Sequence, residues 1–162
     1  MDQTIRFSKS DGGRLIIDDQ VVKLLLGYRQ LKRTSLEGGG LLLGRHLLAS
    51  THIAVDDISR PMRGDRRKRT AFYRGNGHEK YAHRKWRESS STCAYVGNWH
   101  SHPEPYPTPS KTDIKDWLNV LENDTYEGNK LYFIILGTKE IACWEGDASS
   151  GKLIKLEKYN QK

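Results

Sequence analysis

Apolar residues along the chain switch between a helical and a strand period, and the switches mark out the elements. Arg14-Leu15-Ile16-Ile17 reads as a short strand, stopped by Asp18 or Asp19 acting as a helix cap. Val21, Val22, Leu25, Tyr28 and Leu31 then recur at helical spacing, which predicts an amphipathic helix over 19–33. Leu41 to Leu48 and His52 to Ile58 read as a pair of strands joined near Ser50-Thr51. His78 to Glu88 is polar but carries no breaker, and Tyr81 and Trp86 suggest a second helix. Cys93 to Trp99 reads as a strand running straight into His100. Proline at 103, 105, 107 and 109 excludes helix in the next loop, because amide donors are missing and the preceding dihedrals are restricted. Ile114, Trp117, Leu118 and Leu121 give a third amphipathic helix, ending around Asn123-Asp124. Strands over 131–136, 141–145 and 153–157 close the chain.

Helices separate some of these strands and tight turns separate others. The pattern is therefore α+β, a single domain over 1–162 with a mixed, mostly antiparallel sheet flanked by helices. A chain of 162 residues can bury a real core, and Lys130 to Leu136 is apolar enough to lie in one. No window is long and apolar enough to span a bilayer, and Met1-Asp2-Gln3 does not open a signal peptide. The expectation is a soluble, cytoplasmic protein, in which Cys93 and Cys143 are buried reduced thiols rather than a disulfide.

The net charge of +7 is concentrated. Between Arg60 and Arg87 there are eleven Lys/Arg against Asp65 and Glu79, so the rest of the chain is close to neutral. The segment 60–75 reads as a basic insertion, either a solvated loop or a surface that steers an acidic partner. No nucleic-acid motif accompanies it, which weighs against nucleic acid as the partner.

The densest chemistry lies in His100-Ser101-His102-Pro103, followed by Ser110 and Asp113. In an extended segment alternate side chains share a side, so His100 and His102 face together with Asn98 and Val96, while Trp99 and Ser101 face away. Two imidazoles about 6–7 Å apart along a strand can converge on one ion. Ser110-x-x-Asp113 before an apolar helix resembles a capping box, and capping alone would explain both residues. The two readings are compatible, because a helix start at Ser110 holds Asp113 rigidly in the first turn. Two histidines and an aspartate leave a fourth position open for water, which suits a catalytic zinc. Glu37, ahead of Gly38-Gly39-Gly40 and a Leu-rich strand, is a candidate base; glycine there lets other backbone approach closely.

Glu37-x-Gly39-Gly40-x-Leu42-x-Gly44, then His100-Ser101-His102 and, after seven residues, Ser110-x-x-Asp113 resemble the JAMM motif of the JAB/MPN metallopeptidases. The resemblance implies one catalytic Zn2+ held by His100, His102 and Asp113, with Glu37 as general base and Ser110 as oxyanion support. It implies cleavage of a peptide or isopeptide bond after the C-terminal tail of a ubiquitin-like or similarly conjugated protein. Within the family the chain is most similar to bacterial JAB isopeptidases that accompany E1/E2-like conjugation enzymes in CBASS anti-phage operons. That similarity implies a cGAS-like nucleotidyltransferase conjugate as substrate. The basic insertion occupies the place where this family often grips the substrate's extended tail. The short turn Asn123 to Lys130 leaves no room for the second insertion that sets linkage choice in some deubiquitinases.

Other readings stay open at this level. Processing of a ubiquitin-like sulfur carrier needs the same residues, and a non-catalytic MPN scaffold shares the fold but lacks motif residues that are all present here. An iron(II) oxygenase also uses two histidines and a carboxylate, with more open positions and commonly His-x-Asp spacing. A cysteine peptidase would need a nucleophile signature that neither Cys93 nor Cys143 has. His46, His52, His78 and His83 are assigned to the surface or to local packing.

Overall fold

The computed structural model of the chain describes residues 1–160. The elements run β1 (Ile5–Ser8), β2 (Arg14–Ile17), α1 (Asp19–Leu26), β3 (Gly39–His46), β4 (Ile53–Ile58), β5 (Arg66–Arg67), β6 (Phe72–Tyr73), α2 (Gly77–Glu88), β7 (Ala94–Ser101), α3 (Lys111–Asn123), β8 (Lys130–Leu136), β9 (Ile141–Asp147) and β10 (Lys152–Lys155). Eight strands form one sheet in the order β1-β2-β4-β3-β7-β8-β9-β10, and β5 with β6 makes a separate ribbon in the basic insertion. Pairing is parallel where β2 meets β4 and where β7 meets β8, and antiparallel elsewhere in the sheet. Beyond β10 the chain returns to β1: Phe7 bridges Lys158, and the Ser8 amide donates to Glu157 O at 2.9 Å. The two ends of the strand order are thereby joined, which protects edges that would otherwise template pairing with another chain.

The sheet is covered on both faces, and β8 shows why its sequence is an unbroken apolar run. Leu131, Phe133 and Ile135 pack with Trp117 and Leu121 of α3. Tyr132, Ile134 and Leu136 point into the main core, with Val21, Val22 and Leu25 of α1. A strand buried on both sides needs no polar alternation, and each such side chain is worth about 1.5–3 kcal/mol of burial. Helix α2 covers a smaller cluster around Leu41, Leu43 and Cys93. Both cysteines are buried and unpaired, as expected. Among the described residues no helix is long and apolar enough to cross a membrane.

Two expectations need correction, and one strand was not anticipated. Helix α1 stops at Leu26 with Gly27 as its C-cap, not at 33. Tyr28 still packs in the core, 5.4 Å from the Trp99 ring, but it does so from the loop; Leu31 is exposed. Strand β1 had no readable pattern, because Phe7 is its only buried residue. Finally, Val96 does not share a side with Asn98. Leu42 pairs with Gly97 while Leu43 pairs with Tyr95, so Val96 is an extra residue, a β-bulge, and the side-chain parity slips by one. Val96 therefore joins Trp99 in the core, and Tyr95 takes the side of Asn98, whose Nδ2 donates to its hydroxyl at 3.3 Å. The neighbouring Gly97 allows β8 to come close, since a Cβ there would lie 1.7 Å from Tyr132 O.

Helix α3 also buries less than its pattern suggested. Trp117 and Leu121 are buried, whereas Ile114 and Leu118 are each 39% exposed.

Candidate metal centre

Below the bulge, β7 alternates as expected. Trp99 is 1% exposed and donates from Nε1 to Ser59 O at 2.9 Å. Ser101 is fully buried on the same side, which turns His100 outward. His102 lies one residue past the strand, but its amide still donates to Leu136 O at 3.0 Å, so the extended backbone continues through it. The two imidazoles consequently meet, with Nε2 atoms 3.0 Å apart.

Asp113 reaches the same point from α3. Ser110 caps the helix by accepting the Asp113 amide at 3.1 Å, and Asp113 Oδ2 accepts the Ser110 amide at 2.8 Å, which completes the capping box. Held in that first turn, Asp113 places Oδ1 at 3.2 Å from His100 Nε2 and Oδ2 at 3.1 Å from His102 Nε2. The proline loop is itself anchored: Glu104 O accepts the Thr138 amide at 2.9 Å, and Pro105 O accepts the Glu140 amide at 3.1 Å. The cap that starts the helix therefore also puts the Asp113 carboxylate where it could serve as a ligand.

Glu37 arrives just ahead of β3 and is 5% exposed. The glycines after it do what was expected, for a Cβ on Gly40 would lie 2.0 Å from Ser59 O. The backbone of Glu37 is held by the basic insertion. Its amide donates to Lys68 O at 2.7 Å, and Arg67 Nε donates to its carbonyl at 3.0 Å. Glu37 and Asp113 line both of two adjoining clefts. The larger, about 630 Å³, also takes in His102, Thr108 and Ser110; the smaller, about 220 Å³, takes in His100, Arg74 and Asn98. Phe72 of β6 walls both.

The charges in this cleft are strongly perturbed. Burial pushes the Glu37 carboxyl up to about 8, with Asp113 adding to the rise and His102 opposing it. For His102, burial works against protonation, but hydrogen bonds to Asp113 and Glu104 overcome it and raise the imidazole to about 9. Asp113 resists the upward effect of burial, because its bonds to His100 and His102 hold it well below the usual carboxylate range.

One nitrogen from His100, one from His102 and one oxygen from Asp113 lie within 4.8 Å of one another. Two imidazoles and a carboxylate in a partly open cleft fit a zinc ion with one coordination position left free. A second carboxylate orients one ligand: Glu104 Oε1 sits 2.9 Å from His102 Nδ1, the arrangement that fixes tautomer and ring direction in metal sites. Glu104 was not singled out from the sequence, although its i+2 position after His102 in a proline-fixed loop was a usable signal.

Two further residues had no local signal. Ser101, between the histidines, donates to Gln30 Oε1 at 2.8 Å and accepts the Gly38 amide at 2.8 Å. Gln30, 4% exposed, donates in turn to Arg69 O at 2.7 Å. This buried network ties the histidine strand, the Glu37 segment and the insertion together. Ser110 is exposed at the rim of the larger cleft, where its oxygen is already occupied as an acceptor and its O–H remains to donate.

An Escherichia coli (strain TW11681) protein named CD-NTase/cGAS isopeptidase is 34% identical over 146 residues, covering 89% of this chain and 88% of that protein. A Vibrio cholerae protein (serotype O1, strain ATCC 39315 / El Tor Inaba N16961) of the same name is 35% identical over 133 residues, covering 82% and 80%. The solution structure of DSY2949 from Desulfitobacterium hafniense shares the fold, with a TM-score of 0.59 at 21% identity over 87% of each chain. The family described as prokaryotic homologs of the JAB domain matches residues 20–146, and the chain belongs to that family.

Proposed function

We propose that the chain is a zinc-dependent isopeptidase of the JAMM type, with His100, His102 and Asp113 holding the metal. One observation carries the reading: three ligand atoms from the end of β7 and the start of α3 converge beside a buried carboxylate from a distant segment, in a cleft open to solvent. Bound there, zinc supplies Lewis acidity and brings the pKa of a coordinated water to about 7. Glu37 takes the proton of the attacking water on its carboxylate and delivers it to the leaving amine. Burial raises this carboxyl, and a zinc ion held beside it would lower it; those opposing effects suit a group that must both accept and return a proton. Ser110 donates its free O–H to the developing oxyanion.

The substrate class follows the relatives, which carry the name CD-NTase/cGAS isopeptidase. We extend it to this chain: a cytoplasmic enzyme that releases a protein conjugated through its C-terminal tail. A cGAS-like nucleotidyltransferase is the first candidate, linked to an E1/E2-like enzyme in anti-phage defence. The larger cleft, running past Thr70 to Tyr73, has room for an extended tail. The exposed guanidinium groups of Arg66 and Arg69 beside it suit an acidic face on the modified protein.

The test is cleavage of a reporter fused to the C-terminus of that nucleotidyltransferase, with and without chelator. Chelation should abolish cleavage and zinc should restore it. Glu37→Gln should lower kcat by about 10²–10⁴ with zinc still bound; normal turnover would remove Glu37 from its role.

A further inference from the structure

A second cluster of chemistry-bearing side chains lies outside the cleft. Both carboxylate oxygens of Asp65 approach His78 Nε2, at 3.0 and 2.9 Å, and His78 Nδ1 lies 2.6 Å from Ser59 Oγ. Ser59 Oγ accepts the Leu41 amide at 2.7 Å. With His78 neutral and protonated on Nε2, the bonds run in one direction: Leu41 N–H to Ser59 Oγ, Ser59 O–H to His78 Nδ1, His78 Nε2–H to Asp65. Every donor has an acceptor. The residue types are those of a serine hydrolase triad. However, Ser59 is 1% exposed, its oxygen is occupied, and none of the three lines either cleft. A nucleophilic role has no path to substrate.

The location of the cluster suggests a different use. Asp65 also accepts the amides of Met62 and Gly75, each at 2.8 Å, and so closes the insertion at its two ends. These bonds, with that of His78, hold its carboxyl below the usual range although burial alone would raise it. The middle of the insertion carries the contacts that hold Glu37: Lys68 O accepts its amide, and Arg67 donates to its carbonyl. The Phe72 ring, which walls both clefts, meets the His78 ring edge-on at 6.1 Å and 89°. Ser59 grips β3 at Leu41, four residues after Glu37.

We propose that Asp65, His78 and Ser59 form a positioning clamp that fixes the insertion by its base, and through it sets the backbone of Glu37 and the wall residue Phe72 for the hydrolysis. The proposal rests on Glu37 being the base. A base displaced by about 1 Å loses up to about 10²-fold in rate, so a buried clamp on its support acts on turnover rather than on metal binding.

Asp65→Asn preserves side-chain size but replaces an acceptor with a donor facing groups that already donate. In the zinc-loaded protein we expect kcat to fall about 10- to 100-fold, with KM within about twofold and zinc content unchanged. The Glu37 amide should exchange its hydrogen at least about tenfold faster, while amides of β8 stay protected. Combined with Glu37→Gln, Asp65→Asn should cost far less than it does alone, since the base it positions is gone and only the Phe72 wall is left to displace. A role confined to stability would lower the melting temperature and leave kcat and Glu37 exchange unchanged, and that result overturns the proposal. Ser59→Ala, which removes one hydroxyl, should show the same pattern at smaller size and serves if Asp65→Asn does not fold. Full activity in Glu37→Gln alone would refute the base assignment, while accelerated exchange at the Glu37 amide would still establish the clamp.

Discussion

His100, His102 and Asp113 gather three ligand atoms within 4.8 Å, on side chains 12–15% exposed. On the inner end of the basic insertion, His78 and Asp65 make an equally close pair at 1% exposure, with Ser59 behind them. Composition hardly distinguishes the two clusters, and direction of bonding does. Around His78 each donor meets one acceptor in a chain, so the set is complete in itself. At the cleft, one nitrogen of each imidazole and one oxygen of Asp113 gather from three side chains instead of passing bonds along a chain. Such convergence is a set of ligand atoms that could hold a cation. A linear chain of satisfied bonds holds structure, whereas converging acceptors invite an ion.

The sharpest way to break this contrast is to delete one histidine from each cluster. His102→Ala should abolish activity and stoichiometric zinc binding while the zinc-free fold survives, read by elemental analysis and thermal melting. His78→Ala should instead remove one donor from Asp65, which keeps the Met62 and Gly75 amides, and one acceptor from Ser59, costing about 1–3 kcal/mol of stability. If His78→Ala lost zinc without loss of stability, the distinction between the clusters would be wrong.

A smaller effect is expected one step out from the ligands. Glu104→Gln retains an acceptor for the Thr108 amide, which now donates to Glu104 Oε1 at 3.0 Å, but removes the charge behind His102. Zinc affinity should weaken by about tenfold, measured by competition with a chelator of known affinity. An unchanged affinity would mean that Glu104 only shapes the loop.

The smallest effect belongs to the insertion's free charges. Arg67 is committed to the carbonyls of Glu37 and Leu36, so neutralising it would mix positioning with charge. Arg66→Gln with Arg69→Gln is the cleaner pair. It should raise KM a few-fold and flatten its dependence on salt without altering kcat; identical salt profiles would sink the acidic-partner reading.

Most strands and the starts of the helices were legible in the chain, because apolar period and cap chemistry are local. Asp18 and Ser110 cap as their types predict, and Ser110-x-x-Asp113 forms both bonds of its box. The His-x-His segment was legible for the same reason, since strand alternation alone turns both rings to one side. The end of α1 was not, because Tyr28 keeps helical spacing while packing from a loop. Nor was the bulge at Val96, which shifts parity without any change in the apolar pattern and depends on how β3 and β7 register. Gln30 and Ser101 looked like ordinary polar residues; their partners lie 39 and 63 positions away.

The sequence by itself determined which donors exist, their local directions, and the motif that marks the family. Only the tertiary structure decided that Glu37 enters the same cleft as Asp113, that the basic insertion supports this carboxylate's backbone, and that His78 is sealed while His102 is open. The reason is physical: local dihedrals and periodicity are set over a few residues, whereas burial, convergence and bond direction depend on segments that meet only when the sheet assembles.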